Sequence, residues 1–485
     1  VDTTDQPAIE PAAAVANQFW TQDSPGIPGD AEAGDWFGLS LGTGDFDGDG
    51  FTDLAVGIPH ESLADATRAG SVAIIRGSAS GLTGVRSQLW SQATVGVLDL
   101  PDLGDQFGWS LVGADFDGDG FDDLAIAARY EDLPATLPKD EPVATNAGVV
   151  HVLYGSRQGL RAVGDQLWSQ DSPGIAEAAQ DDEMFGYSLA AADFDRDGFD
   201  DLAIGAPYER YHHDRDGGVH VLRGSRRGLT ATGSQFWSQD SPGVMNRAWE
   251  REQFGQSLAA GDFDHDGFGD LAVGVWFQDF CFICNQGAVN VLYGSRRGLT
   301  AQGDQFWTQD SPGIPDTADP FDRFGNALAA GDFDGDRFDD LAVGAPREDD
   351  RGANVYQDKG AVNVIYGSVN GLRGAGSQLW TQDSPGISEV AGRVDLFGLA
   401  LAAADFDGDG ARDLVVGVRF EDGTRDNDGA VQVIYGTLQG LRAAGNQLWT
   451  QDSPGILDKA EKGDHLGWSV SGESPASGTP ADNHP

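Results

Sequence analysis

Cysteine, methionine and basic side chains are scarce in this 485-residue chain, which has 2 Cys, 2 Met and 30 Lys and Arg against 78 Asp and Glu. Two cysteines cannot build a disulfide-stapled scaffold, nor hold zinc without two further ligands. The formal net charge of −48 excludes nucleic acid as a natural partner, because phosphate contact needs clustered Lys and Arg. It also disfavours an anionic membrane surface. No stretch approaches the ~20 apolar residues of a membrane-spanning helix, so no membrane span is expected. No segment sustains helical periodicity, and no Gly-x-Ser-x-Gly elbow, HExxH pair or Walker loop is present. Disorder is excluded too, since the chain is 40% hydrophobic with 12 Trp and 25 Phe.

What the chain does have is repetition. Trp20, Trp90, Trp168, Trp237, Trp307, Trp380 and Trp449 each sit in a Gln-[Phe/Leu]-Trp-[Ser/Thr]-Gln segment. Seventeen residues after each comes Phe37, Phe107, Phe185, Phe254, Phe324, Phe397 or Leu466, followed by Gly. Trp-to-Trp periods are 70, 78, 69, 70, 73 and 69, and the gap from Gly57 to Gly70 and its later equivalents is 13, 21, 12, 13, 16 and 12. The difference is 57 in every repeat, so all length variation lies in one loop per repeat. Each repeat reads as four short strands with period-2 alternation bounded by Gly and Asp. A four-stranded unit recurring about every 70 residues predicts an all-β fold, a β-propeller of four-stranded blades.

Six blades are complete. Residues 18–27 form a lone fourth strand at the N-terminus, and residues 466–470 a lone first strand at the C-terminus. These two are expected to pair as a reduced seventh blade closed by both termini, a six-bladed ring being the alternative. Closure hides edge strands that would otherwise invite pairing. The chain opens on Val1 with no signal-like apolar core, which reads as a processed, mature form. Residues 1–16 read as an N-terminal arm, 17–470 as a single propeller and 471–485 as a flexible tail.

An acidic motif begins eight residues after each of the six Phe. It comprises Asp45, Asp47, Asp49 and Asp53 in the first repeat, then Asp115, Asp117, Asp119 and Asp123, then Asp193, Asp195, Asp197 and Asp201. Repeats four to six carry Asp262, Asp264, Asp266 and Asp270; Asp332, Asp334, Asp336 and Asp340; and Asp405, Asp407, Asp409 and Asp413. Carboxylates at positions 1, 3, 5 and 9, with the carbonyl at position 7, would wrap one hard cation, as Ca²⁺ requires. Four uncompensated carboxylates in nine residues repel strongly otherwise. An EF-hand would need Glu at position 12, where Val56, Ile126, Ile204, Val273, Val343 or Val416 stands inside a strand. These are calcium loops in hairpins, up to six ions in all. Arg337 replaces the turn glycine in repeat five, the site expected to be weakened.

Phe37-Gly38, the D-x-D-x-D-G-x-x-D loop, Gly205-Ala206-Pro207 and Gly344-Ala345-Pro346 resemble the FG-GAP repeats of the integrin α-subunit propeller and of related bacterial secreted proteins. The resemblance spans about residues 17–470. It implies calcium held by the 24 aspartates named above, stiffening the lower face of a propeller.

In an up-and-down meander the calcium loops share a face with the 3–4 loops, and the variable 2–3 loops lie opposite. Loops that vary on a rigid scaffold are where specificity resides. The second-blade loop, residues 129–147, carries Pro134, Pro138 and Pro142. The fourth-blade loop carries Trp276, Phe277, Phe280 and Phe282, a contact patch or a locally folded plug. Its Cys281 and Cys284 are expected to form a disulfide in a secreted chain. His212 and His213 read as ordinary loop residues, and the seven repeated Trp as blade packing rather than sugar platforms. Glu61, Glu131, Glu209, Glu348 and Glu421 recur four residues after the second-strand Gly or its equivalent, as an acidic ring or as loop caps.

The combined reading is a non-enzymatic, secreted or cell-surface calcium-binding propeller that acts as an adhesion or protein-interaction module. Its partner would be a protein or glycan at the cell surface or matrix. Two alternatives stay open: a structural subunit of an extracellular assembly or filament joined through the incomplete seventh blade, and a glycan-binding lectin.

Overall fold

A computed structural model describes residues 17–63, 66–133, 144–279, 284–349, 357–422 and 426–472. The arm at 1–16, most of the tail and parts of several 2–3 loops lie outside the described residues, among them Pro134, Pro138 and Pro142. Six four-stranded antiparallel sheets are present among the described residues, each in the order 1-2-3-4. Blade one comprises Leu41–Gly44, Asp53–Ile58, Ser71–Arg76 and Thr83–Trp90. Blade six ends the series with Phe397–Ala404, Asp413–Val418, Ala430–Tyr435 and Arg442–Trp449.

First strands stand innermost. They line a central cavity of about 260 Å³, to which Leu111 of blade two, Leu258 of blade four and Val470 beyond blade six all contribute. Second and third strands lie between neighbouring blades and are buried on both faces, so their alternate residues pack in opposite directions. Val72, Ile74 and Trp90 of blade one pack forward against Leu124, Ile126 and Leu153 of blade two. Val56, Ile58, Ala73 and Ile75 pack backward with Trp20. This is why the third strand reads as a continuous apolar run while the outer strand alternates with polar residues.

The phenylalanine inside each acidic motif locks one blade to the next. Phe46, Phe116, Phe194, Phe263 and Phe333 are fully buried, each in a core cluster that spans its own blade and the following one. Their carbonyls accept hydrogen bonds from Ser156, Ser225, Ser295, Ser368 and Thr437 of the next blade, at 3.1–3.3 Å.

The seventh blade does not form as expected. Among the described residues no seventh sheet is present; residues 18–27 and 466–472 occupy separate seats in the seam between blades six and one. Ser469 Oγ donates to Gly38 O (2.5 Å), as Ser40 Oγ donates to Gly108 O (2.6 Å) between blades one and two. Gln18 exchanges hydrogen bonds with the Leu82 backbone at 2.7 and 2.8 Å, as Gln88 does with Leu160. Thus 466–472 takes the first-strand seat and 18–27 the fourth-strand seat. Within a blade those seats are separated by two intervening strands, roughly 14 Å at the usual strand spacing. The two terminal segments therefore have nothing between them to pair with, and the ring is six-bladed with a bridged seam. Phe406, which lacks a following blade, is 54% exposed, and Trp449 is 37% exposed where Trp90, Trp307 and Trp380 are 8–9%.

Phe116→Ala should cost about 3–5 kcal/mol of stability by emptying an interblade site. Phe406→Ala should cost much less, because half its surface is already in water. Denaturation at saturating calcium checks the contrast, and equal losses would remove the seam.

Candidate metal centres

Each acidic loop folds on its own first aspartate. Asp45 Oδ1 and Oδ2 accept from the Asp49 and Gly50 amides (3.1 and 2.8 Å), and Asp49 Oδ1 accepts from the Phe51 amide (3.0 Å). The loops opened by Asp115, Asp193, Asp262, Asp332 and Asp405 repeat the pair of bonds to the first aspartate. Position 6 needs a left-handed backbone, and glycine supplies it in five loops. In repeat five Arg337 adopts it at φ 81°, and its amide still donates to Asp332 Oδ2 at 2.8 Å. The substitution leaves this loop's closure intact, at the cost of a strained side-chain-bearing residue.

The ninth-position aspartates are at most 1% exposed and fasten loop to sheet. Asp123 Oδ2 accepts from the Phe116 amide (3.0 Å) and Oδ1 from the Gly155 amide (2.9 Å). Asp270, Asp340 and Asp413 do the same at 2.8–2.9 Å, while Asp53 and Asp201 bind Gly77 and Gly224.

Oxygens of Asp45, Asp47 and Asp53, of Asp115, Asp117 and Asp123, and of Asp262, Asp264 and Asp270 lie within 4.8 Å of one another. So do those of Asp193, Asp195 and Asp197 and of Asp332, Asp334 and Asp336. Crowded, oxygen-only donor sets of this kind fit a hard divalent cation, Ca²⁺ above all. Their electrostatics agree. Burial, reinforced by the neighbouring carboxylates, pushes Asp123 and Asp340 up to about 9 and Asp270 to about 8. These groups call for a positive charge the sheet does not supply.

Loops one and three differ in a way the sequence contains but spacing alone does not interpret. Arg76 Nη1 donates to Asp53 Oδ2 (2.7 Å) and sits 3.1 Å from Asp47 Oδ2. Arg223 Nη1 pairs with Asp195 and lies 3.6 Å from Asp201. At the equivalent position Tyr154, Tyr293 and Tyr366 turn their hydroxyls to Gln166, Gln305 and Gln378. A guanidinium among the ligands competes with a cation. Burial pushes Asp53 up to about 6, partly offset by the Gly77 amide and by Arg76, while Asp201 rises to about 8.

The recurring glutamates are not an exposed acidic ring. Glu131, Glu209, Glu348 and Glu421 are buried, and each accepts from a glutamine beyond the preceding strand-four Trp. Gln92 and Gln309 donate at 2.6 Å, and Gln170 and Gln382 bind likewise. Each faces a second acid: Asp105, Glu183, Asp322 or Asp395. Burial and that neighbour push Glu131 up to about 9 and Glu348 to about 10, so they are protonated at neutral pH. Blade four has Gln278 in this seat, donating to Glu252 Oε1 at 2.5 Å. A neutral amide fills the role of a neutral acid.

Of the aromatic-loop residues, Trp276 and Phe277 stack at 5.1 Å, while Phe280, Phe282 and Cys281 lie outside the described residues. Cys284 is disulfide-bonded, and the chain has one other cysteine. His212 and His213 donate backbone amides to Asp216 (2.9 and 3.1 Å). No helix among the described residues is long and apolar enough to cross a membrane.

An all-β ring with one oxygen-rich acidic loop per blade, all on one face, defines a class of metal-loop propellers. The FG-GAP repeat pattern matches residues 37–75, 107–153, 185–222, 254–292, 324–365 and 397–434, one match per blade, and the chain belongs to the FG-GAP repeat family. It is similar to integrin alpha-PS2 of Drosophila melanogaster, at 30% identity over 55% of this chain and 17% of that protein. It is also similar to phosphatidylinositol-glycan-specific phospholipase D of Rattus norvegicus, at 35% identity over 38% of this chain and 20% of that protein. The chain thus spans about a fifth or less of the length of these relatives. Among solved structures, the exotype rhamnogalacturonan lyase YesX aligns over 88% of this chain and 66% of its own, with 14% identity and a TM-score of 0.41.

Replacing Arg223 with Tyr should raise the affinity of the third loop for Ca²⁺, visible by calorimetric titration as tighter or additional binding; an unchanged isotherm would remove the competition. The glutamate pairs set a pH dependence. Their folded pKa values exceed the unfolded ones, so the stability they contribute is complete below about pH 4 and is lost as pH rises toward 8–10. Glu131→Gln, which copies the arrangement of blade four, should therefore be clearly more stable than the parent at pH 9 and differ little from it at pH 5. Denaturation at both pH values in saturating calcium checks this.

Proposed function

We propose that this chain is an extracellular calcium-binding propeller that serves as an adhesion or protein-interaction module. One observation carries the reading: the acidic clusters lie on one face of a rigid ring, and all the length variation lies on the other. Calcium would fix the lower ends of the blades, so that the 2–3 loops are displayed in a constant geometry. The kinship with integrin alpha chains supports this. The Cys284 disulfide supports a secreted or cell-surface location, where thiols oxidise. A binding role rather than catalysis is favoured because the strongly shifted acids, Glu131 and Glu348, are packed between blades and held by glutamines.

A second reading has its own support. The exposed Phe406 and Trp449 at the seam suit an assembly in which a neighbouring subunit supplies the two missing strands. Negative-stain images would then show filaments, which trimming of both termini should abolish.

Chelating calcium should lower the melting temperature substantially, and an unchanged melt would sink the metal hypothesis. Beads coated with the protein should adhere to cells, and shortening the 2–3 loops only within 134–143 and 280–283, clear of the buried Glu131 and Gln278, should abolish adhesion with little change in the melt. Adhesion indifferent to both loops would overturn the proposed contact face.

A further inference from the structure

The face opposite the metal loops carries a belt of aromatic rings and arginines that the repeated motifs do not include. It runs along the ends of the strands that line the central cavity. Arg419, just past the second strand of blade six, lies 3.1 Å over the ring of Trp468 and 4.6 Å over Phe420. Trp468 meets Trp36 at 5.8 Å, and Trp36 stacks on His60 at 3.6 Å. Gln106 Nε2 donates to His60 Nε2 (3.1 Å), and Gln106 Oε1 accepts from Arg129 Nε (2.8 Å). Arg129 lies 3.1 Å over Trp109, which meets Tyr187 of blade three at 5.8 Å. In blades four and five the pattern returns, with Arg323 at 4.6 Å over Trp276 and 5.4 Å over Phe277.

Arg129, Arg323 and Arg419 make no ion pair among the described residues, and Arg323 Nε and Arg419 Nε are buried there without a hydrogen-bond partner. Asp358 acts on Arg323 only from beyond ion-pair distance. Each guanidinium instead sits over an aromatic face, which stabilises it by cation–π attraction. Of the three Nε donors, only that of Arg129 has a partner, Gln106, among the described residues. Burial lowers all three, Arg323 and Arg419 to about 10, so they remain charged at neutral pH. The belt also offers an open platform, since Trp36 is 44% exposed.

We infer that this belt binds a carboxylate-bearing saccharide of low charge density, its sugar face on the exposed Trp36 and its carboxylates on the neighbouring guanidiniums. Flat rings suit the C–H faces of pyranoses, and guanidinium edges suit carboxylates as two-pronged donors. Low charge density follows from the field: a strongly acidic protein repels a dense polyanion before it reaches three cations. An acidic peptide is less suited, because the belt presents aromatic faces rather than an unpaired strand edge. The inference rests on reading this face as the contact face, and names its ligand.

Calorimetry and tryptophan fluorescence on the whole chain in calcium would test it with a hyaluronan hexasaccharide, neutral chitohexaose and a hexaglutamate peptide. The hyaluronan fragment should bind and quench fluorescence, and the other two should not. Trp36→Ala, at an exposed site, and Arg419→Gln, with its melt checked, should each weaken binding about tenfold. No binding of the hyaluronan fragment, equal binding of hexaglutamate, or full binding by both variants would overturn the assignment. If the fragment fails while bead adhesion still depends on the 2–3 loops, the ligand class falls and the contact face stands. If adhesion is also loop-independent, both fall.

Discussion

The buried aspartate at position nine of each loop is the joint on which the blade depends. Asp123 receives the amide of Phe116 on one oxygen and that of Gly155 on the other. One carboxylate thereby ties the acidic loop, the start of the second strand and the end of the third into one unit. A charged group is buried this deeply only when hydrogen-bonded or compensated. Here the amides provide the first condition, and a cation held in the loop would provide the second. Metal binding and blade geometry are consequently one problem rather than two.

From blade to blade the same unit is passed on by Phe116 and its equivalents, which bury their rings in the next blade and accept a backbone hydrogen bond from it. Such a chain of joints either closes or ends. Here it ends at Phe406, and the seam is bridged by Ser469 and Gly38 on the inside and by Gln18 and Leu82 on the outside. The termini hold the ring without completing a sheet.

The two faces divide the chemistry of an unusually acidic chain. Below, carboxylates converge to collect a cation, and Arg76 and Arg223 intrude on two of the sites. Between the blades, acids such as Glu131 and Glu348 are buried as neutral groups hydrogen-bonded to glutamine, so formal charge overstates what the folded protein carries. Above, Arg129, Arg323 and Arg419 lie over aromatic rings and form no ion pair among the described residues.

Much of this was legible in the sequence, because period-2 strands and a fixed 57-residue frame around one variable gap can satisfy their backbone only as repeated sheets. The acidic loops were legible too, since ligand spacing within nine residues is local. Other features depend on residues distant in sequence. Gln92 and Glu131 meet only because strand four hands over to the next blade; from sequence the glutamates read equally well as a surface ring. The fate of Arg76 depended on the third strand ending beside the loop. Ring closure was not legible, because lone first and fourth strands run antiparallel and could pair by direction alone, whereas in a blade two intervening strands separate them. The sequence alone determined the repeat, the strand pattern and the metal-ligand spacing, which local chain geometry enforces. Only the tertiary structure decided which charges are neutralised, which loops have a competing arginine, and that the seventh position remains a seam, because each depends on what the neighbouring blade brings into contact.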